Sequence, residues 1–141
     1  MTTGRPVPDP AAGIDYDGRV FRSSAAETSL SGDTPVGHYH QRDDLVWAEF
    51  AGGAVRAGRL VGVRGPDGII RFVYGQVMSD GRVIAGECVS TPEILDDGRV
   101  RLREQWRRLG ERESTGVSYI EEIRDAPPVE PREPGRPGTI R

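Results

Sequence analysis

A glutamate within an apolar strand pattern is the residue of this sequence best suited to acid–base chemistry. In residues 100–108, Glu104 shares the apolar positions, while the alternate positions hold arginines and Gln105. Alternate residues of a strand lie on one face, so we expect Glu104 on the inner face of a sheet. Desolvation there would raise its pKa and suit it to act as a general acid or base. The structural alternative is an internal ion pair with Arg59 or Arg71.

The two histidines, His38 and His40, flank Tyr39 and would share one face of a strand. They are therefore candidate catalytic residues, and the alternative is a pair of exposed imidazoles at the end of a barrel. Gly32, six residues before His38, partly resembles the first metal motif of the cupins. That motif expects a glutamate where this chain has Asp44, and no second histidine motif exists. We expect no metal site.

Aromatic and polar residues on neighbouring strands are candidates for ligand contact. Tyr74 and Gln76 share one strand face, as do Trp47 and Glu49 on another strand. Which of the two faces points inward is open for both strands. The candidate ligand-binding residues are Tyr39, Trp47, Glu49, Tyr74, Gln76 and Trp106. Cys88 has no base nearby in sequence and is expected to be a small buried apolar residue.

The composition excludes several chemistries. All 19 basic residues are arginine, so Schiff-base, pyridoxal phosphate and P-loop lysine chemistry are excluded, and we expect no cofactor. A single cysteine cannot form an internal disulfide. A net charge of −3, with the two signs interspersed, argues against nucleic-acid binding. No apolar run is long enough to span a membrane, and the first residues lack a secretory signal, so a cytoplasmic location is expected.

Regularly spaced turn signals predict an all-β fold. Asp-Gly dipeptides occur at 17–18, 67–68, 80–81 and 97–98, and they favour hairpins with type I′ turns. The segments between turns are rich in strand-forming residues and show no helical period. The predicted strands are residues 19–24, 36–41, 45–50, 55–64, 69–78, 83–91, 100–109 and 117–124, with Pro92 ending the sixth. Eight such strands favour a closed antiparallel up-and-down β-barrel, and the alternative is an open meander that forms a homodimer.

Proline placement predicts the domain boundaries. Of the 11 prolines, three lie in residues 6–10 and five in residues 127–137. Segments of this composition bury too little apolar surface to fold. We expect a flexible tail over 1–14, a barrel over 15–124 and a second tail over 125–141.

Several motifs give the chain a family resemblance. The motifs lie in residues 16–22, 38–41, 46–53, 90–93, 97–102 and 104–106. They are similar to a group of small actinobacterial proteins, often labelled automatically as N-acetylglutamate synthases, that adopt avidin-like β-barrels. The resemblance covers residues 16–123 and implies an avidin-like barrel here. The label itself does not fit, because Arg64 replaces the last small residue of an acetyl-CoA loop and a turn follows instead of a helix.

Three functions follow from a barrel of this size, whose lumen holds side chains or one small ligand. The first is binding of a small, largely apolar molecule in the lumen. The second is a cofactor-independent cyclase or isomerase of a biosynthetic pathway, with Glu104 as the acid or base. The third is a structural module whose lumen is filled by side chains. A lumen smaller than the roughly 300 Å³ typical of ligand pockets would remove both ligand functions.

Overall fold

Eight antiparallel strands follow one another in chain order and close into a barrel. The computed structural model describes residues 10–110 and 114–124, with only the backbone described at Glu27. Each strand pairs with the next, and β8 pairs back with β1, which confirms the predicted barrel. The strands are β1 (Val20–Ser23), β2 (Val36–Arg42), β3 (Leu45–Gly52), β4 (Val55–Arg64), β5 (Ile70–Met78), β6 (Val83–Ile94), β7 (Val100–Arg108) and β8 (Ser114–Glu122). Two short 3₁₀ turns, Pro10–Gly13 and Ala26–Thr28, are the helical elements of the described residues.

Strand β6 is longer than the sequence predicted. It continues through Pro92 to Ile94, and Pro92 lies opposite Leu102 of β7. The pairing of β6 with β5 ends at Ser90, so β6 has a strand neighbour on only one side at the proline. A residue without an N–H is tolerated where one side of a strand is unpaired, which explains why Pro92 does not end β6.

Three of the four Asp-Gly dipeptides form hairpins, at 67–68, 80–81 and 97–98, but with a different turn type, whereas Asp17-Gly18 lies before β1 and does not join two strands. In the β4–β5 turn, the Gly65 N–H donates to Ile69 O (2.9 Å) and the Gly68 N–H donates to Gly65 O (3.0 Å). Only the glycine has positive φ (83°), whereas a type I′ turn would need positive φ at Asp67 as well. The turn is therefore type I, followed by a left-handed glycine. The Asp67 carboxylate stabilises it by accepting the Ile69 N–H (3.0 Å).

The N-terminal segment closes one end of the barrel. Ala11 and Ile14 are buried in the core, although the sequence assigned residues 10–14 to a tail. The buried Tyr16 hydroxyl donates to Gly68 O (2.6 Å), and the Arg64 guanidinium donates to Ile14 O (2.7 Å). These bonds tie residues 10–16 to the barrel, and we call this segment the plug. The remaining predicted tail residues, 1–9 and 125–141, lie outside the described residues.

Charged residues cover the outside of the barrel. The arginines of β7 pair with glutamates directly opposite them on β6: Arg101 with Glu93 (2.7 Å) and Arg107 with Glu87 (2.5 Å). Neither helical turn that the structure describes has the length and apolar character needed to cross a membrane.

Candidate functional site

The end of the barrel opposite the plug contains an open cavity. Its volume is about 130 Å³, and the connection between β1 and β2 contributes Ala25, Thr28 and Pro35 to its mouth. The apolar side chains that line it are Phe21, Phe50, Leu60, Phe72, Trp106 and Ile120. The polar groups that line it are Tyr39, Tyr74, Gln76, Glu104, Arg108 and Ser118. The site is therefore an apolar chamber with a few polar groups on its wall.

The volume of the cavity limits what it can hold. At about 130 Å³ it is smaller than the roughly 300 Å³ at which typical ligand pockets begin. It is close to the size of an engineered apolar cavity of roughly 150 Å³ that binds benzene. By the criterion of the sequence analysis this volume would remove both ligand functions, but that criterion is too strict, because an engineered cavity of similar size binds benzene. The volume excludes a drug-sized ligand and leaves room for a molecule of about one ring.

Glu104 lies on the wall of this cavity. Ser90 faces it across the β6–β7 pair, and the Ser90 hydroxyl donates to Glu104 Oε2 (3.1 Å). Burial raises the pKa of the Glu104 carboxyl group from 4.5 to about 7, while the bond from Ser90 opposes the rise. The internal ion pair considered above is absent, because Arg59 and Arg71 are both exposed. A carboxyl group that titrates near neutral pH can donate or accept a proton under ordinary conditions.

The tyrosines and the cysteine of the cavity wall stay uncharged at neutral pH. Burial raises the pKa of Tyr39 far above its usual range, and the nearby Glu104 raises it further. Burial also raises the pKa of Tyr74, although the Arg108 guanidinium beside it lowers it in part. The Cys88 thiol is buried, as expected, and desolvation raises its pKa. Cys88 is therefore not a thiolate nucleophile.

Glycines opposite the large aromatic residues keep the cavity open. A Cβ atom added to Gly116 would lie 2.2 Å from Cζ2 of Trp106, the residue directly opposite it on β7. A Cβ atom at Gly86 would likewise lie 2.4 Å from the Tyr74 hydroxyl oxygen. Each ring thus lies flat against the wall over a position without a side chain. The same arrangement recurs at the pairs Gly58–Phe50 and Gly62–Phe72.

Four of the predicted site residues lie on the outside of the barrel. Within β3, Val46 and Ala48 point inward, so Trp47 and Glu49 point outward. His40 stacks on Trp47, with the ring centroids 5.3 Å apart, and its Nε2 lies 2.8 Å from Glu49 Oε1. The structure does not bring these residues, or His38, together with Glu104. In the described residues, no group of three His, Cys, Asp or Glu side chains could hold a metal ion.

The remaining predicted residues line the cavity together: Tyr39, Tyr74, Gln76, Glu104 and Trp106. Sequence reasoning missed Arg108 and Ser118, which line the cavity, and Ser90, which is fully buried and donates to Glu104. A signal was present for Arg108, which shares the strand alternation of Glu104, and for Ser90, which shares that of Cys88.

Comparison with known proteins gives one match. The family model described as "Avidin-like protein" matches residues 14–123 of the chain. No curated protein and no solved structure matches the chain significantly. The matched span begins in the plug and includes all eight strands.

Proposed function

Because this chain belongs to the avidin-like protein family, we propose that it binds a small, largely apolar molecule in the barrel lumen. Barrels of about eight strands have interiors just wide enough for one small ligand. The observation that carries the proposal is the open cavity, whose wall is mainly aromatic and aliphatic and includes one carboxyl group, that of Glu104. A lumen filled by side chains, as a purely structural module requires, would leave no such space.

The lining also defines the kind of ligand. A cavity of about 130 Å³ accepts a single ring with one or two substituents. Contacts with Phe50, Phe72 and Trp106 favour a flat apolar body, since aromatic rings pack well against one another. The few polar groups of the wall would orient the ligand through hydrogen bonds.

Filling the lumen should abolish binding of a ring-sized probe. We expect benzamide to shift the Trp106 indole resonance of the wild-type protein in NMR spectra, because Trp106 lines the cavity. The variant Leu60→Phe adds bulk inside the lumen and should lose this response. Val61→Phe is the matched control, because Val61 is the next residue of β4 and is 49% exposed on the outside. It should bind benzamide as the wild type does.

Two results would contradict binding in the lumen. The first is an unchanged response in Leu60→Phe, with the fold intact by circular dichroism. The second is no response to benzamide in the wild-type protein.

The second candidate function is cofactor-independent acid–base catalysis in the same lumen, of the cyclase or isomerase type. It is favoured by the raised pKa of Glu104, about 7, which matches the operating range of a general base. The Ser90 hydroxyl holds Glu104 Oε2 in place (3.1 Å). Because both histidines lie outside the lumen, Glu104 would act alone among the described residues.

Exchange of the protons next to the carbonyl group of 2-cyclohexenone in D₂O tests this candidate. The wild-type protein should accelerate exchange, and Glu104→Gln should reduce the rate by roughly 10²–10⁴-fold while leaving the affinity for the ketone nearly intact. Ser90→Ala should move the midpoint of the pH–rate profile upward, because the Ser90 bond lowers the pKa of Glu104. Equal exchange rates in the wild type and Glu104→Gln would show that Glu104 is not the base.

A further inference from the structure

The mouth of the cavity contains a cation. Arg108 is the last residue of β7 and is the only arginine that lines the cavity in the part of the chain that the structure describes. Its guanidinium lies over the Trp106 ring, 5.6 Å from the centroid. Tyr74 lies beside it, close enough for the guanidinium to influence the phenol. The cation, the phenol and the indole therefore share one part of the cavity wall.

Arg108 makes no ion pair with a carboxylate of residues 10–110 or 114–124. Its neighbour Arg107, on the outside of the same strand, pairs with Glu87 instead (2.5 Å). Arg108 is half-buried at the edge of an apolar chamber. A guanidinium in such a place loses hydration and gains most from an anion that it can bind through its planar set of donors.

We propose that the lumen ligand is a small cyclic carboxylate, whose carboxylate group binds Arg108 and Tyr74 while its ring occupies the apolar chamber. This inference rests on the proposed binding function. A carboxylate suits the site because its two oxygens match the paired donors of a guanidinium, and the Tyr74 hydroxyl can supply a third donor. The Trp106 indole provides a flat apolar surface next to the guanidinium, against which the ring can stack.

The position of Glu104 makes binding of an anion dependent on pH. Glu104 and Arg108 are four positions apart on the same face of β7, about 13 Å between their Cα atoms at the usual rise per strand residue, and both line the cavity. An ionised Glu104 would repel the bound carboxylate, whereas a protonated one would not. The groups that face Glu104 are Ser90 and Cys88 on β6, Ser118 on β8 and, from non-adjacent strands, Tyr39 on β2 and Tyr74 on β5. All five are uncharged near neutral pH, so Glu104 alone would set this dependence.

Benzoate and benzamide form a matched pair of probes, because they have the same shape and differ in charge. At pH 6, the wild-type protein should bind benzoate roughly tenfold more tightly than benzamide in calorimetric titrations. Arg108→Gln should abolish this preference, because it removes the cation that binds the carboxylate and keeps the apolar chamber that holds the ring. Arg103→Gln is the control, because it removes the same charge from the outer face of the same strand and should keep the preference.

The outcomes separate this inference from the proposed function. Equal affinities of the wild type for the two probes, or a preference that survives in Arg108→Gln, would overturn the carboxylate ligand and leave lumen binding intact. Failure of the wild type to bind either probe would overturn both. A tenfold preference that is lost only in Arg108→Gln, and that weakens between pH 6 and pH 8 in the wild type, would support the inference.

Discussion

Replacing Glu104 by glutamine should stabilise the folded protein above pH 7 and change its stability little at pH 4. Burial raises the pKa of this carboxyl group from 4.5 to about 7, so the folded state keeps a proton that the unfolded state releases. Wild-type stability therefore falls as the pH rises between these two values and levels off above the higher one. At 1.36 kcal/mol per pKa unit, the loss amounts to about 3 kcal/mol. Glutamine cannot ionise and avoids this loss.

Urea unfolding of the wild type and Glu104→Gln between pH 4 and pH 8.5 measures the effect. The difference in the free energy of unfolding should grow with pH and reach a plateau above pH 7. Glu87→Gln is the control, because Glu87 lies on the outside of β6 and is paired with Arg107. Its difference from the wild type should stay within about 1 kcal/mol and show no step near pH 7. A Glu104→Gln difference that does not change with pH would show that Glu104 has an ordinary pKa.

A pH-dependent loss of this kind has a consequence for function. A carboxylate on the outside of the barrel, or an apolar residue in place of Glu104, would not lower the free energy of unfolding at high pH. Groups with strongly shifted pKa values, placed in a cleft, are often functional. The stability measurement therefore bears on both candidate functions, because both assign Glu104 to the lumen.

Substituting alanine for Gly116 should close part of the cavity and weaken ligand binding by tenfold or more. The new methyl group would lie 2.2 Å from the Trp106 ring, which must then move away from the wall and into the lumen. Inserting a methyl group into a packed site costs about 1–3 kcal/mol. The variant should therefore lose both stability and affinity for benzamide.

Gly75→Ala is the matched control for this substitution. Gly75 lies within β5, and a Cβ atom there would meet nothing within 4 Å. It should leave benzamide affinity and the Trp106 indole resonance unchanged, whereas Gly116→Ala should shift that resonance even without ligand. If Gly116→Ala binds benzamide like the wild type and is equally stable, the close approach of the two residues does not hold the cavity open.

The sequence predicted the strands well because their signals are local. Alternation of apolar residues and Asp-Gly dipeptides located all eight strands. In β7 one face is mainly apolar and the other is mainly arginine, and this difference correctly placed Glu104 inside. Strand β3 carries aromatic residues on both faces, Trp47 on one and Phe50 on the other. Alternation shows which residues share a face but not which face points inward. For this reason Trp47 and Glu49 could not be assigned correctly from the sequence.

Features that depend on neighbouring strands were harder to predict from the sequence. Pro92 ends a strand only if both sides of that strand are paired, and the pairing of β6 with β5 stops at Ser90. Residues 10–14 of the plug were assigned to a tail, because their short apolar pattern can be buried only where the folded barrel offers them a surface. The contact that holds the plug there, from the Tyr16 hydroxyl to Gly68 O, joins residues 52 positions apart in sequence.

The number of strands, their order along the chain and the residues that share each face follow from local turn chemistry and a period of two, so the amino-acid sequence was enough to predict them. The partly empty lumen, and the meeting of Glu104, Tyr74, Trp106 and Arg108 around it, became visible once the strands were paired. The physical reason is that the free space depends on register. Four aromatic rings lie against the wall because strand register places a glycine directly opposite each of them on a neighbouring strand: Phe50, Phe72, Tyr74 and Trp106.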